Sequence, residues 1–404
     1  MDLISGQPLW PVAAGLPASY PALRSDLECE VVVLGAGITG ALVAHRFAAD
    51  GIDVVVVDRR EVGHGSTAAS TALVLYELDT HLADLEERIG RRAAQRAYAI
   101  SAAAAGEIEE LARAAPGPVP FERKRSLYLA SRRRDVETLR RECAAREGIG
   151  LPVAFLDRRE LRRRTVFDRP AALLSEPAGQ VDPYRLTHAL LRAAAGAGAR
   201  IFDRTEVVKL RERRRGLELR TRDGAVVRAQ RAVLATGYET PAMLRGRLVR
   251  LSSTFALATD PLSPAFDWGE NRCLVWEAAR PYTYLSSSHD GRLVAGGEDL
   301  PFASSHRRGR QLERQTRQLE RRLRRLLPAA DFTVDWRWAG TFAETRDGLP
   351  LIGRSDAFRR GYFALGYGGN GITFGAVAAR LLLDLHRRRA NPDLALFRLD
   401  RPAR

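Results

Sequence analysis

The chain has 404 residues, and its 64 Lys and Arg against 49 Asp and Glu give a formal charge of +15. That length exceeds what one hydrophobic core usually serves, so two domains are expected; the three widely separated cysteines, Cys29, Cys143 and Cys273, argue against a disulfide framework or a thiolate metal site and point to a reducing cytoplasm. Lys124 and Lys209 are the only lysines and the arginines are scattered among acids and alanines, so the charge reads as composition rather than as a nucleic-acid face; no long apolar run precedes Arg24, so neither a secretory signal nor a membrane span is expected.

The first informative element is the run 31–58, VVVLGAGITGALVAHRFAADGIDVVVVD, where Gly35, Gly37 and Gly40 separate an apolar strand from a helical pattern and a second apolar strand ends on Asp58. Gly35 permits the tight turn out of the strand, Gly37 lets the backbone approach a pyrophosphate, and Gly40 lets the new helix pack on the sheet. The helix opening at Ile38 and Thr39 presents backbone N–H groups and a positive dipole end to phosphates. Asp58 stands where a carboxylate accepts both hydroxyls of an adenosine ribose and repels a 2′-phosphate. Strand, triplet, helix, strand and acid in register predict a dinucleotide-binding βαβ unit.

Alanine-rich helices follow over 81–115, ended by Pro116, Gly117 and Pro118, then a short strand at 126–130 and a helix over 133–147. Strand signals return at 199–210, 217–221 and 225–235, and a mixed region, 250–338, carries alternating strands such as 282–286 and 292–296. The stretch 306–327 places Leu312, Leu319, Leu323, Leu326 and Leu327 at helical spacing with arginines elsewhere, the pattern of a solvated helix with one buried stripe. Residues 340–353 read as a loop punctuated by Gly348 and Pro350, and 361–375, GYFALGYGGNGITFG, as a strand that breaks into a glycine-rich turn and then a helix through about Leu385. That helix start is a second anion site. An isoalloxazine ring there would meet a positive helix end at its pyrimidine edge, where negative charge accumulates on reduction.

These stretches together resemble the flavin-dependent amine and amino-acid oxidoreductases of the D-amino-acid oxidase and glycine oxidase superfamily. The resemblance spans nearly the whole chain. It rests on VVVLGAGITG with Asp58, GHGSTAAST from Gly63 to Thr71, VDPYRLTHALLRAA from Val181, RAVLATG at 231–237, DGLPLIG at 347–353 and ALGYGGNGI at 364–372. It implies an α/β fold: a Rossmann-type, glutathione reductase-like FAD-binding domain over 30–80, 175–245 and 339–395, a discontinuous α+β substrate or cap domain over 81–174 and 246–338, and an N-terminal arm over 1–29. It also puts Ser66 and Thr67 beside the flavin or its pyrophosphate, the Val207 backbone against the adenine, and Asn370, Gly371, Ile372 and Thr373 around the flavin's pyrimidine oxygens. Arg59, Thr236, Gly237, Gly340, Gly366 and Gly369 complete the expected cofactor set. Relatives with a histidine tether carry it just beyond a Gly-Ser-Thr, where Ala69 stands here; His64 precedes that motif and Cys273 lies elsewhere, so the FAD is expected to be non-covalent, and no metal is expected.

The departures from the family bear on the substrate. Phe342, just past Trp338-Ala339-Gly340, stands where amino-acid-oxidising relatives commonly place a carboxylate-binding arginine, and Gly369 stands where some carry a second cation. The expectation is therefore FAD-dependent removal of a hydride from a C–H next to an amine nitrogen, in an amine, a polyamine derivative or an N-substituted amino acid, giving an imine that hydrolyses. Oxygen or an electron carrier would be the acceptor. Tyr282 and Tyr284 share one strand face and join Phe342, Arg280, Glu298, Tyr76 and Glu77 as pocket candidates; a carboxylate would hold a substrate ammonium, whereas Arg280 would clamp an acidic group. Two alternatives are a D-amino-acid dehydrogenase and an RNA-modifying flavoenzyme acting on a tRNA base side chain, the latter disfavoured because no methyltransferase domain is attached. A non-catalytic flavin-fold protein is disfavoured by the intact cofactor motifs.

Overall fold

The structure, a computed structural model, describes residues 2–239 and 248–401. Two sheets carry it. The eight-stranded sheet has a parallel core in the order Phe358–Leu365, Val226–Leu234, Leu27–Leu34, Val54–Val57, Arg200–Phe202. Leu351–Ser355 pairs antiparallel with Phe358–Leu365, and the hairpin Val207–Arg213 and Gly216–Thr221 continues antiparallel from the start of Val226–Leu234. Val31 to Val33 and Val54 to Val56 are buried on both faces, which is why these strands read as unbroken apolar runs. On one face pack the helices Ile38–Ala49, Pro183–Gly196 and Gly371–His386; the other face packs on the hairpin through Leu217 and Leu219. Helix Pro183–Gly196 starts where it does because the Asp182 carboxylate accepts from the backbone N–H of Tyr184 and Arg185 and Pro183 needs no donor in the first turn.

The ten-stranded sheet runs Ile4–Gly6, Val334–Glu344, Arg250–Pro261, Arg292–Pro301, Thr283–Ser287, Leu274–Glu277, Phe121–Leu129, Ala171–Val181, Leu73–Leu75, with Val153–Asp157 paired to Ala171–Val181. Helix Ser305–Leu326 covers one face through Leu319 and Leu323, which pack with Leu257, Leu285 and Trp268.

Several expectations change. The strands Leu73–Leu75 and Ala171–Val181 and the end of Val334–Glu344 run in the ten-stranded sheet, so the expected boundaries at 175 and 339 fall inside its strands, the one at 80 falls beyond a strand that belongs to it, and the N-terminal arm contributes its edge strand. The expected boundary at 245 lies outside the described residues. Residues 340–344 are strand, not loop; the turn comes later, at Gly348 with φ +82. The alanine-rich helices expected over 81–115 are present, as Leu82–Ile89 and Arg91–Ala114, divided at Gly90 with φ +90. The arginine-rich helix is not solvated all round its polar faces. Arg308 is buried and donates to the Ser5 hydroxyl at 3.0 Å, the Asp2 carbonyl at 3.0 Å and the Thr341 hydroxyl at 2.5 Å, tying the arm to the strand that lines the site.

Candidate active site

A cavity of about 790 Å³ runs from Gly35 and Asp58, at the carboxyl ends of the parallel strands, to Trp276, Tyr282 and Tyr284 on the ten-stranded sheet. Its first end is the βαβ turn. Gly35 has φ +108, and a Cβ there would lie 2.4 Å from the Ala235 carbonyl. A Cβ on Gly40 would lie 1.8 Å from the Gly35 carbonyl, so the helix reaches the sheet only because position 40 is bare. The Asp58 carboxylate accepts from the backbone N–H of Ala36 at 2.7 Å and of Arg60 at 2.8 Å, bracing both strand ends while its side chain lines the cavity. The Ile38 N–H, expected to face a phosphate, instead donates to the Thr67 hydroxyl at 2.9 Å. Arg59 and Arg60 pair with Glu239 at the rim.

The second end of the cofactor cradle is the late glycine turn. Gly368 N–H donates to the Ala343 carbonyl at 2.9 Å and Gly369 N–H to the Asp79 carboxylate at 3.1 Å, and helix Gly371–His386 begins at once. Asn370 Nδ2 donates to the Glu77 carbonyl at 2.6 Å and the Thr373 hydroxyl to the Leu75 carbonyl at 2.9 Å, so the helix start is latched to the strand that follows GHGSTAAST. Two tryptophans hold that motif from behind: Trp10 Nε1 donates to the Ser70 carbonyl at 2.7 Å and Trp338 Nε1 to the Ala69 carbonyl at 2.9 Å. Both glycine turns open into the same cavity.

The FAD dependent oxidoreductase family profile matches residues 30–385. The chain belongs to that family. Among its relatives, the gamma-glutamylputrescine oxidoreductase of Escherichia coli (strain K12) is 25% identical over 92% of this chain and 86% of its own length. The glycine oxidase of Geobacillus kaustophilus is 26% identical over 92% of this chain and 97% of its own. The crystal structure of glycine oxidase from Geobacillus kaustophilus superposes with a TM-score of 0.77 at 23% identity, covering 93% of this chain and 99% of that one. The iminodiacetate oxidase of Chelativorans sp. BNC1 gives 0.72 at 22% identity, covering 90% and 96%.

The cradle of this FAD-dependent oxidoreductase fits its coenzyme. Ser66 Oγ is buried, lines the cavity and makes no hydrogen bond within the protein, the state of a donor waiting for a phosphate oxygen. The cavity brings together Gly35, Gly37, Ile38, Thr39, Asp58, Arg59, Ser66, Thr67, Val207, Thr236, Gly237, Gly340, Gly366, Gly369, Asn370, Gly371 and Ile372. Gly40 and Thr373 lie behind its wall, where they fix the turns rather than face the opening. Neither His64 nor Cys273 lines it; Cys273 is buried in the second sheet's core.

At the substrate end Phe342, Tyr282 and Tyr284 line the cavity, and the two tyrosine rings lie 5.6 Å apart. Gly296 leaves room for Tyr284 to lie across the sheet, since a Cβ there would sit 2.4 Å from its ring. Four candidates are corrected. Arg280 is exposed and outside the lining, its guanidinium stacked 4.3 Å over the Tyr282 ring. Glu77 lines the cavity through its segment, but its carboxylate turns to the fully buried Arg146, at 3.7 Å, so it does not hold a substrate. Tyr76 is likewise buried, beneath the Arg146 guanidinium. Glu298 also turns away, pairing with Arg322 at 2.6 Å. The sequence reading missed Asp79, Asp299, Thr254 and Trp276, all of which line the cavity. The cationic lining residues, Arg59, Arg60 and Lys209, belong to the Asp58 and Val207 end; among the described residues none lines the tyrosine end. Nor does any described group of His, Cys, Asp and Glu have the geometry to hold a metal ion, and no described helix is long and apolar enough to cross a membrane.

Asp299 has a stability signature. Burial pushes its carboxyl from the ordinary 3.8 up to about 6, against the pull of the Thr254 hydroxyl and of Arg280. A raised carboxyl favours the folded state below its unfolded value, and that contribution is lost as pH rises through about 6. Asp299→Asn is therefore expected to stabilise the protein at pH values above that window, by roughly 1–3 kcal/mol, and to leave it unchanged in acid. Thermal unfolding of the two proteins on either side of the window tests this, and equal melting temperatures throughout would contradict it.

Proposed function

We propose that this FAD-dependent oxidoreductase oxidises amines, polyamine derivatives or N-substituted compounds at the carbon next to nitrogen, rather than simple α-amino acids. The observation that carries this reading is Phe342 on the cavity wall two residues past Gly340, facing an end walled by Trp276, Tyr282 and Tyr284 with no described cation to pair with an α-carboxylate. An end with aromatic walls accepts an amine-bearing carbon chain. The gamma-glutamylputrescine oxidoreductase and iminodiacetate oxidase relatives support the same direction, since both compounds carry a substituted nitrogen.

FAD, when bound, supplies a two-electron hydride acceptor. Its holders would be Gly35, Gly37 and Asp58 at the adenosine side, Ser66 and Thr67 beside the pyrophosphate, and the turn at Asn370 and Gly371 at the ring. The carbon gives up its hydride, the nitrogen lone pair closes a C=N bond, and water hydrolyses the imine to a carbonyl compound and the freed amine or ammonia. The nitrogen must enter this step neutral. The buried tyrosine end disfavours an unpaired ammonium by desolvation, and positioning rather than a dedicated protein base is what the chain contributes. Oxygen or an electron carrier would be the final acceptor of the two electrons. We also assign a small-molecule substrate rather than nucleic acid, in keeping with a cavity of about 790 Å³, and a cytoplasmic setting, in keeping with three free, buried cysteines.

The test is anaerobic bleaching of the flavin absorbance against amines, γ-glutamyl amines, N-methyl amino acids and free amino acids. Bleaching by members of the first three groups is expected. Prompt bleaching by simple D- or L-amino acids alone would defeat the argument from Phe342.

A further inference from the structure

Strand alternation places Gly296 on the cavity face, because it lies directly opposite Tyr284. Continued regularly, the same face would next carry residue 298 and residue 299 would point to the helix side. The register with Arg250–Pro261 slips between Ser253 and Phe255, where Gly297 has φ +150 and Glu298 has φ +56. This bulge exchanges the two acids: Glu298 pairs with Arg322 on helix Ser305–Leu326, and Asp299 is delivered to the cavity beside Thr254. A non-glycine residue in the left-handed region costs free energy, and bulges that re-aim a side chain are characteristic of functional sites.

Asp299 is delivered with one oxygen unpaired, beside the Thr254 hydroxyl and within the field of Arg280. Its Oδ1 is enclosed and receives no hydrogen bond, and Thr254, its neighbour, shares its hydroxyl with the Tyr284 phenol at 2.9 Å. Asp79 lines the same end, and both carboxylates act on the Tyr282 and Tyr284 phenols, which burial above all holds well above their usual range. Above about pH 6 Asp299 is ionised, so a buried negative charge faces aromatic walls, the setting that recognises an ammonium by ion pairing and by cation–π contact.

That ammonium is not the reacting nitrogen. A carboxylate beside an amine favours its charged form, and the charged form has no lone pair to close the C=N bond. The anchor and the reaction make opposite demands on a nitrogen, and a substrate with two nitrogens satisfies both. Resting on the amine-oxidation reading above, we infer that Asp299 is a specificity-determining residue that binds a second, remote ammonium group, making α,ω-diamines and polyamines the preferred substrate class over monoamines.

The test uses the holoenzyme and its Asp299→Asn variant with α,ω-diaminoalkanes of graded length, 1-aminoalkanes of equal length and ω-amino acids. Binding is read first from perturbation of the oxidised flavin spectrum and then, anaerobically, from bleaching. At the best length the diamine is expected to bind about 10–100-fold more tightly than the monoamine, with the ω-amino acid weakest. In Asp299→Asn that ratio should fall towards unity, with diamine affinity reduced by a larger factor than monoamine affinity. Equal diamine and monoamine affinities in the parent, or an unchanged ratio in the variant, would overturn the anchor and leave amine oxidation standing. Monoamine bleaching slowed as much as diamine bleaching by Asp299→Asn would also overturn it, since the carboxylate would then serve the reacting nitrogen. A diamine preference in binding without bleaching by any amine would sink the amine-oxidation reading and not the anchor.

Discussion

Arg146→Met is expected to lower the unfolding free energy by about 3–5 kcal/mol and to loosen the coenzyme with it. Arg146, on helix Asp135–Glu147, is wholly buried, with its guanidinium 2.7 Å from Glu142 and 3.7 Å from Glu77 and lying against the rings of Tyr76 and Tyr98. Glu142 has other support, because its two oxygens accept from the backbone N–H of Leu82 at 2.9 Å and of Ala83 at 3.1 Å. Glu77 has none: both its carboxylate oxygens are buried and accept no hydrogen bond. Removing the guanidinium therefore strands the Glu77 charge, and the damage should concentrate there. The backbone of the same segment carries the latch on the late turn, through the Glu77 carbonyl to Asn370 and the Leu75 carbonyl to Thr373. Flavin-to-protein absorbance after gel filtration should fall alongside the melting temperature. The double variant Arg146→Met with Glu77→Leu should recover a good part of the loss, since removing both charges is far less costly than removing one. If the double variant is as unstable as the sum of the two single ones, the stranded-charge account fails.

The parts of this site that could be read from sequence are those where one local rule dominates. The βαβ turn was legible because parallel strands buried on both faces give unbroken valine runs, and because Gly35 and Gly40 are bare for steric reasons that any neighbouring backbone would impose. Tyr282 and Tyr284 were legible because period-two alternation survives intact along Thr283–Ser287. Glu298 shows the limit of the same rule. Alternation would put position 298 on the cavity face, but one bulge hands that place to Asp299; nothing in GGED marks a slip, beyond a glycine pair that also suits a tight strand. The direction of Glu77 was illegible for a different reason, since its partner Arg146 comes from a helix whose packing no local pattern specifies. Strand Ala171–Val181 escaped notice because Pro177 breaks its pattern. Trp10 escaped because a short arm far from the motif supplies the indole that holds Ser70.

Gly40→Ala tests the cradle at the point where the steric demand is greatest. The added Cβ would stand 1.8 Å from the Gly35 carbonyl oxygen, and 3.4 Å from Val33, so what must move is backbone and not the end of a flexible side chain. Helix Ile38–Ala49 could relieve the clash only by lifting off the sheet, and Ala41, Val43, Ala44 and Phe47 are all buried in the core it would leave. Overpacking of this kind costs about 1–3 kcal/mol where neighbours can shift and more where they cannot. The expected result is a protein that melts lower and elutes with little bound flavin, because the same displacement moves the N–H groups at the helix start. Gly106→Ala is the matched control. Gly106 lies inside helix Arg91–Ala114, where an added Cβ meets nothing within 4 Å, so alanine there should stabilise by about 0.5–1 kcal/mol through helix preference alone. Opposite shifts in melting temperature from one chemical change, with flavin lost only at position 40, would tie the glycine to the coenzyme rather than to folding in general. Full flavin retention in Gly40→Ala would mean that the early turn yields, and that the coenzyme is gripped elsewhere.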